Sequence, residues 1–151
     1  VPFIRLGEMV ERMGGMELGE LFSLGGQKAY RRLERQALQR VIDSHPLAVV
    51  EAGGSLVSEP ETFELLRASY HTVWVRALPE DHMSRVISQG DLRPMAGDNE
   101  EAMEDLRRIL AEREPYYRTA NVMLETSGRS IEDCLNELSG LAGDYLRPTE
   151  R

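Results

Sequence analysis

The chain has 151 residues, 26 of them acidic and 18 basic, with a net charge of -8 and one cysteine. One cysteine excludes an internal disulfide framework, and the longest apolar stretch, residues 47–50, is far shorter than the roughly 20 residues of a membrane span. The negative charge argues against this segment gripping a nucleic-acid backbone, which requires clustered cations. We therefore expect a cytoplasmic globular domain with no membrane contact.

The first half of the chain predicts alternating strands and helices. Residues 2–6 indicate a short strand, and residues 8–13 and 18–24 indicate short helices. Apolar residues at three- and four-residue spacing predict an amphipathic helix over about 27–43, ended by Pro46. The uninterrupted apolar run 47–50 is typical of a parallel strand buried on both faces. Ser58 and Glu61 form a capping-box pattern, which predicts a helix to about residue 69.

The second half continues the alternation. Residues 72–75 and 121–125 predict strands, and Pro79 begins a helix. A glycine-bracketed loop over 90–97 precedes a helix over 100–113, in which Glu104 stands four residues before Arg108. Ser130 is expected to cap a final helix, with a loosely ordered tail after residue 143. Such alternation predicts an α/β fold, a mostly parallel sheet flanked by helices, in a single domain.

Five residues form the candidate ligand-binding site. Gly53 and Gly54 follow a predicted strand directly, where ligands of open α/β sheets bind and where glycine permits close approach. Arg93 lies on the glycine-bracketed loop, which could close as a lid. Arg31 and Arg113 lie on helices whose other residues account for packing, and a guanidinium suits a carboxylate or phosphate.

Several other chemistries lack their sequence patterns. No histidine or cysteine has metal-ligand spacing, and Ser55 lacks the flanking pattern of a nucleophile elbow. Lys28 follows two glycines but lacks the spacing and the hydroxyl residue of a phosphate-binding loop. We therefore assign no catalytic and no metal-binding residue from the sequence.

The order of motifs resembles that of shikimate kinase from Phe3 to about Leu138. The matching segments are GELF at 19–22, YRRLE at 30–34, VEAGGS at 50–55, LRPM at 92–95 and EREPYY at 112–117. The resemblance implies a kinase-like domain over residues 1–140, followed by a tail over 141–151, with a P-loop-kinase-like parallel sheet.

The resemblance also implies roles for individual residues. Arg31 and Arg113 match the arginines that hold the carboxylate of shikimate, and Gly53 and Gly54 match the glycines that line the acid pocket. Arg93 matches the lid arginine that reaches the phosphates.

The chain departs from the family pattern at its start. Arg5 and Gly7 stand where the family has an Asp-x-Asp pair, so the metal-side and acceptor-orienting carboxylates are replaced. The family's first strand, P-loop and first helix would precede Val1, and we expect the sequence to be a piece of a longer chain. ATP and Mg²⁺ are implied only if the protein acts as a kinase.

The runs QGDLRPMAG at 89–97 and EAMEDLRRIL at 101–110 are similar to the kinase-like domain of helix-turn-helix regulators of benzoate catabolism. That resemblance implies an effector-sensing domain that binds an aromatic acyl-CoA such as benzoyl-CoA. DNA would be contacted through a separate N-terminal domain, and a homodimer is expected because operators are commonly symmetric.

Three functions are therefore in order of preference. The first is the sensor domain of a transcriptional regulator, which keeps acid-binding arginines and lacks catalytic carboxylates. The second is a shikimate kinase that phosphorylates shikimate with ATP. The third is a structural or oligomerisation domain whose arginines only solvate its surface.

Overall fold

The computed structural model describes residues 1–89 and 99–147. They form two compact units, Val1–Tyr70 and His71–Arg151. The first unit contains β1 (Phe3–Arg5), α1 (Leu6–Gly14), α2 (Leu18–Ser44), β2 (Val49–Glu51), a 3-10 turn (Gly54–Ser58) and α3 (Pro60–Ser69). The second contains β3 (Val73–Arg76), α4 (Pro79–Ser88), α5 (Asn99–Tyr117), β4 (Val122–Glu125) and α6 (Ile131–Leu146).

Both units are built on a parallel pair of strands. In the first unit β1 pairs with β2, with Ile4 opposite Val50, and in the second unit β3 pairs with β4, with Val75 opposite Leu124. Helices connect the paired strands, as parallel connections require. The predicted α/β class with parallel strands flanked by helices is therefore confirmed.

The core of the first unit lies mainly between α1 and α2. Its fully buried side chains include Leu6 and Val10 of α1, Ala37 and Leu38 of α2, and Leu56 of the 3-10 turn. The predicted apolar spacing of α2 produces this face, because residues three and four apart lie on one side of a helix.

Gly26 interrupts α2 and explains why the sequence predicts two helices there. Its φ of 68° and ψ of -172° lie outside helical values, so the helical path breaks between the two predicted segments. Only glycine adopts this backbone conformation without strain. The segment after Gly26 carries Arg31.

The expected burial of β2 on both faces is wrong. Leu47 and Val49 remain about half exposed, with exposed fractions of 50% and 54%. β2 pairs with β1 along one edge, and only the face bearing Val50 packs against the core. Among the described residues, nothing covers the face that carries Val49.

The capping box is also wrong, although α3 ends at Ser69 as expected. The helix begins at Pro60 with Glu59 at its N-cap, and no side-chain hydrogen bond caps it. Ser58 closes the preceding 3-10 turn, and the Glu61 carboxylate forms an ion pair with Arg35 instead.

In the second unit, polar contacts hold the ends of the β3–β4 pair. Asn121 accepts hydrogen bonds from the backbone N–H and the hydroxyl of Thr72, at 2.8 and 2.9 Å. At the other end Arg76 and Glu125, which are opposite in register, form an ion pair at 2.5 Å. The side chain of Leu124 between them is buried.

The helices of the second unit agree with prediction except in detail. Ser130 caps α6 by accepting a hydrogen bond from the Asp133 backbone N–H at 3.1 Å, as predicted. α6 extends to Leu146, into the segment predicted as tail. Arg108 pairs with Asp105 at 3.0 Å rather than with Glu104. None of the helices within residues 1–89 and 99–147 is both long and apolar enough to cross a membrane.

Candidate functional site

Arg31 is held by a buried carboxylate on the same helix. Its Nη1 donates to Glu34 Oε1 at 2.9 Å, and the two side chains are 11% and 2% exposed. A carboxylate this deeply buried requires a charged or hydrogen-bonding partner. Glu34 therefore fixes the guanidinium in place.

Tyr30 is the third member of this cluster. Its ring is buried, and the Arg31 guanidinium lies 5.1 Å from the ring centroid, within cation–π range. The Tyr30 hydroxyl also hydrogen-bonds the Glu34 side chain. Burial, followed by the charge of Glu34 and this hydrogen bond, raises the pKa of Tyr30 to about 12.

Arg31 lines a cleft of about 900 Å³ between α2 and the start of α3. Its basic lining residues are Lys28, Arg31, Arg32 and Arg35, and its other lining residues are Gln36, Gln39, Glu59, Pro60, Glu61 and Thr62. Glu61 is already paired with Arg35. The excess of cations suits a ligand that carries a carboxylate or a phosphate.

Gly53 and Gly54 lie just beyond β2, as expected. Gly53 is the N-cap of the 3-10 turn, which begins at Gly54. A Cβ built on Gly53 would meet no atom within 4 Å among the described residues, so its surroundings are open. The described lining of the Arg31 cleft does not include either glycine.

The carboxyl end of β1 carries a cation. Arg5 pairs with Glu8 at 3.1 Å and with Glu51, its register partner on β2, at 3.7 Å. Within residues 1–89 and 99–147, no three histidine, cysteine, aspartate or glutamate side chains are grouped to hold a metal ion. This strand end therefore does not fit a bound Mg²⁺.

The other predicted site residues belong to the second part of the chain. Arg113 is half-buried on α5. Partial burial, followed by the charges of Arg85 and Arg113, lowers the pKa of His82. Arg93 and its glycine-bracketed loop lie outside the described residues.

The analysis of the sequence nominated Arg31 but not its two partners. Tyr30 was assigned to the apolar face of the helix, and Glu34 only to a family motif. A signal was present, because Glu34 stands four residues after Tyr30 and three before Ala37, within the apolar face itself. A carboxylate on such a face is buried only with a partner, and Arg31 lies at the right spacing.

Residues 1–140 match the shikimate kinase family. The chain belongs to this family. A shikimate kinase from Francisella tularensis subsp. holarctica is 30% identical over 140 residues, which are 92% of this chain and 78% of the relative. One from Chlorobium chlorochromatii is 28% identical over 152 residues, covering 96% and 79% of the two chains.

Solved structures of shikimate kinases have the same fold. The enzyme from Bacteroides thetaiotaomicron superimposes with a TM-score of 0.82 and 26% identity, covering 95% of this chain and 84% of the other. The enzyme from Acinetobacter baumannii, solved in complex with shikimate, gives a TM-score of 0.78 at 20% identity, covering 97% and 81%, and shows the fold alone. The protein therefore has the P-loop kinase fold of shikimate kinases.

These matches overturn the first-ranked function. The expectation of an effector-sensing domain of a benzoate regulator is wrong, because the family match and these relatives are shikimate kinases. The kinase, which was the alternative, is better supported. The homodimer and the contact with DNA through a further domain are untested predictions that depended on the regulator resemblance.

Proposed function

We propose that this chain acts as a shikimate kinase and transfers the terminal phosphoryl group of ATP to a hydroxyl of shikimate. The observation that carries the proposal is the Arg31 guanidinium, fixed by buried Glu34 at the wall of a basic cleft. A small hydroxylated carboxylic acid requires such a fixed cation for orientation. Membership of the family supplies the reaction type.

In this proposal Arg31 binds the substrate carboxylate through N–H groups that Glu34 does not use. Arg113 is proposed to share that carboxylate, and Gly53 and Gly54 to let the sugar-like ring approach the backbone. Arg93 is proposed to reach the phosphates of ATP, which enters as the second substrate with its own magnesium. Because ATP is consumed, we place the reaction in the cytoplasm.

The chemical step is a phosphoryl transfer. A hydroxyl oxygen of shikimate attacks the terminal phosphorus, the bond from that phosphorus to the bridging oxygen breaks, and ADP leaves as the hydroxyl proton is released. Positioning and electrostatic stabilisation supply most of the catalysis in such reactions. Since Arg5 and Gly7 replace the family's carboxylates, we expect transfer to be slow compared with substrate binding.

The test combines calorimetric titration with shikimate and a transfer assay that detects ADP and phosphorylated shikimate. Arg31→Lys keeps the charge but loses the planar fork, so the Kd and KM for shikimate should rise about ten-fold or more. The KM for ATP should change little, because Arg31 is assigned to the acid.

Arg40→Lys is the matched control, since Arg40 is exposed on the same helix and does not line the cleft. It should leave both constants unchanged. A wild-type chain that neither binds shikimate nor forms its phosphate would refute the proposed function. Equal effects of the two substitutions would remove Arg31 from the site.

A further inference from the structure

One buried carboxylate serves two donors on α2. Glu34 is 1% exposed and accepts from Arg31 Nη1 at 2.9 Å and from the Tyr30 hydroxyl. Tyr30 also places its ring beneath the guanidinium, 5.1 Å away. The three side chains are four residues apart at most, so one helical turn carries the whole cluster.

The contact between Arg31 and Glu34 is not the usual fork. Buried arginine–carboxylate pairs are frequently bidentate, with two parallel N–H donors on two oxygens. In the described part of the chain, Arg31 makes one hydrogen bond to Glu34, through Nη1. The Tyr30 hydroxyl supplies the second donor that the carboxylate needs, so the guanidinium does not have to close on both oxygens.

This sharing has a consequence for ligand binding. An arginine that meets a buried carboxylate with two nitrogens has few donors left on its outer edge. An arginine that meets it with one nitrogen keeps the remaining N–H groups for a ligand. Arg31 lines the cleft, and the ring of Tyr30 limits the directions that the guanidinium plane can take.

We propose that the Tyr30 hydroxyl is a positioning group for the carboxylate of the substrate. By occupying part of Glu34, it keeps Arg31 bound through a single nitrogen and leaves a second pair of donors facing the cleft. The proposal deepens the proposed function and rests on it, because it names the group that presents Arg31 to the acid.

The test is Tyr30→Phe, which removes the hydroxyl and keeps the ring. The Kd for shikimate should rise about five-fold, corresponding to one hydrogen bond. The KM for shikimate should rise by the same factor, with kcat and the KM for ATP unchanged, because Tyr30 touches no reacting atom. In an Arg31→Lys background, Tyr30→Phe should have no further effect on shikimate binding, since lysine has no fork to orient.

Tyr70→Phe is the matched control within the same unit. The Tyr70 hydroxyl is buried and has no hydrogen-bond partner among the described residues, so its removal should leave the Kd unchanged. A Kd for Tyr30→Phe equal to that of Tyr70→Phe would overturn the proposal, as would equal losses in the kcat and the KM for ATP.

A crystal structure of Tyr30→Phe separates the two possible failures. We expect Arg31 to contact both oxygens of Glu34 in this variant. An unchanged single contact refutes the positioning role whatever the substrate is. Absence of shikimate binding by the wild-type chain refutes the proposed function instead.

Discussion

The hydroxyl of Tyr30 couples the stability of the first unit to alkaline pH. Burial, followed by the charge and hydrogen bond of Glu34, raises its pKa from 10.0 to about 12. The folded state therefore holds this proton more tightly than the unfolded state does. The resulting stabilisation is complete below pH 10 and is lost as the pH rises towards 12, because the unfolded chain ionises first.

We predict that the free energy of unfolding falls by about 1 kcal/mol between pH 9 and pH 11 through this residue. Tyr30→Phe removes the ionisable group, so its unfolding free energy should fall less over the same interval. Urea denaturation at a series of pH values measures both slopes. Burial also raises the pKa of Tyr70, so Tyr70→Phe is the reference for a buried tyrosine without a carboxylate partner. Parallel slopes for the wild type and Tyr30→Phe would contradict the prediction.

At the scale of single elements, local patterns predicted what neighbouring residues determine. The cap at Ser130 and the start of α3 and α4 at prolines depend on a few adjacent residues, and the structure has all three. The exposure of Val49 could not be predicted, because it depends on which elements cover the strand. The sequence also predicted Arg31, but its single contact with Glu34 depends on the second donor from Tyr30.

The break at Gly26 is an element-scale feature that determines where the Tyr30–Glu34 segment begins. We predict that Gly26→Ala lowers the free energy of unfolding by about 1 to 3 kcal/mol, because its φ of 68° and ψ of -172° are strained for any residue with a Cβ. Gly19→Ala is the matched control earlier in α2, where an added Cβ meets nothing within 4 Å among the described residues.

Gly19→Ala should be neutral or stabilise by up to about 1 kcal/mol, because alanine favours a helix. Urea denaturation of the two variants measures the difference. If Gly26→Ala were as stable as Gly19→Ala, the backbone at Gly26 would not be the constraint that we infer.

At the scale of the whole molecule, acid binding and phosphoryl transfer have separate requirements. The cleft and Arg31 provide for the first. For the second, the family resemblance assigns carboxylates to two positions at the end of β1, and this chain has Arg5 and Gly7 there. Arg5 instead neutralises Glu8 and Glu51, which are the nearest carboxylates.

We predict that Arg5→Asp combined with Gly7→Asp increases the rate of phosphoryl transfer to shikimate by about ten-fold or more. The change restores an acceptor-orienting carboxylate and leaves Glu8 and Glu51 without their cation. Space for the second aspartate exists, because a Cβ on Gly7 would lie 3.8 Å from Leu18 Cδ1, an ordinary contact. The crowded carboxylates should destabilise the variant without metal, and Mg²⁺ should raise its Tm but not that of the wild type.

Arg12→Asp is the control for charge alone. Arg12 also pairs with Glu8, at 3.7 Å, but lies on α1 away from the strand end. It should neither increase transfer nor make the Tm respond to Mg²⁺. A double variant that gains a Mg²⁺ response but no transfer would show that the strand end binds the metal without limiting the reaction. A double variant that gains neither would mean that the residues at positions 5 and 7 do not limit this kinase, and that the rate is determined elsewhere in the protein.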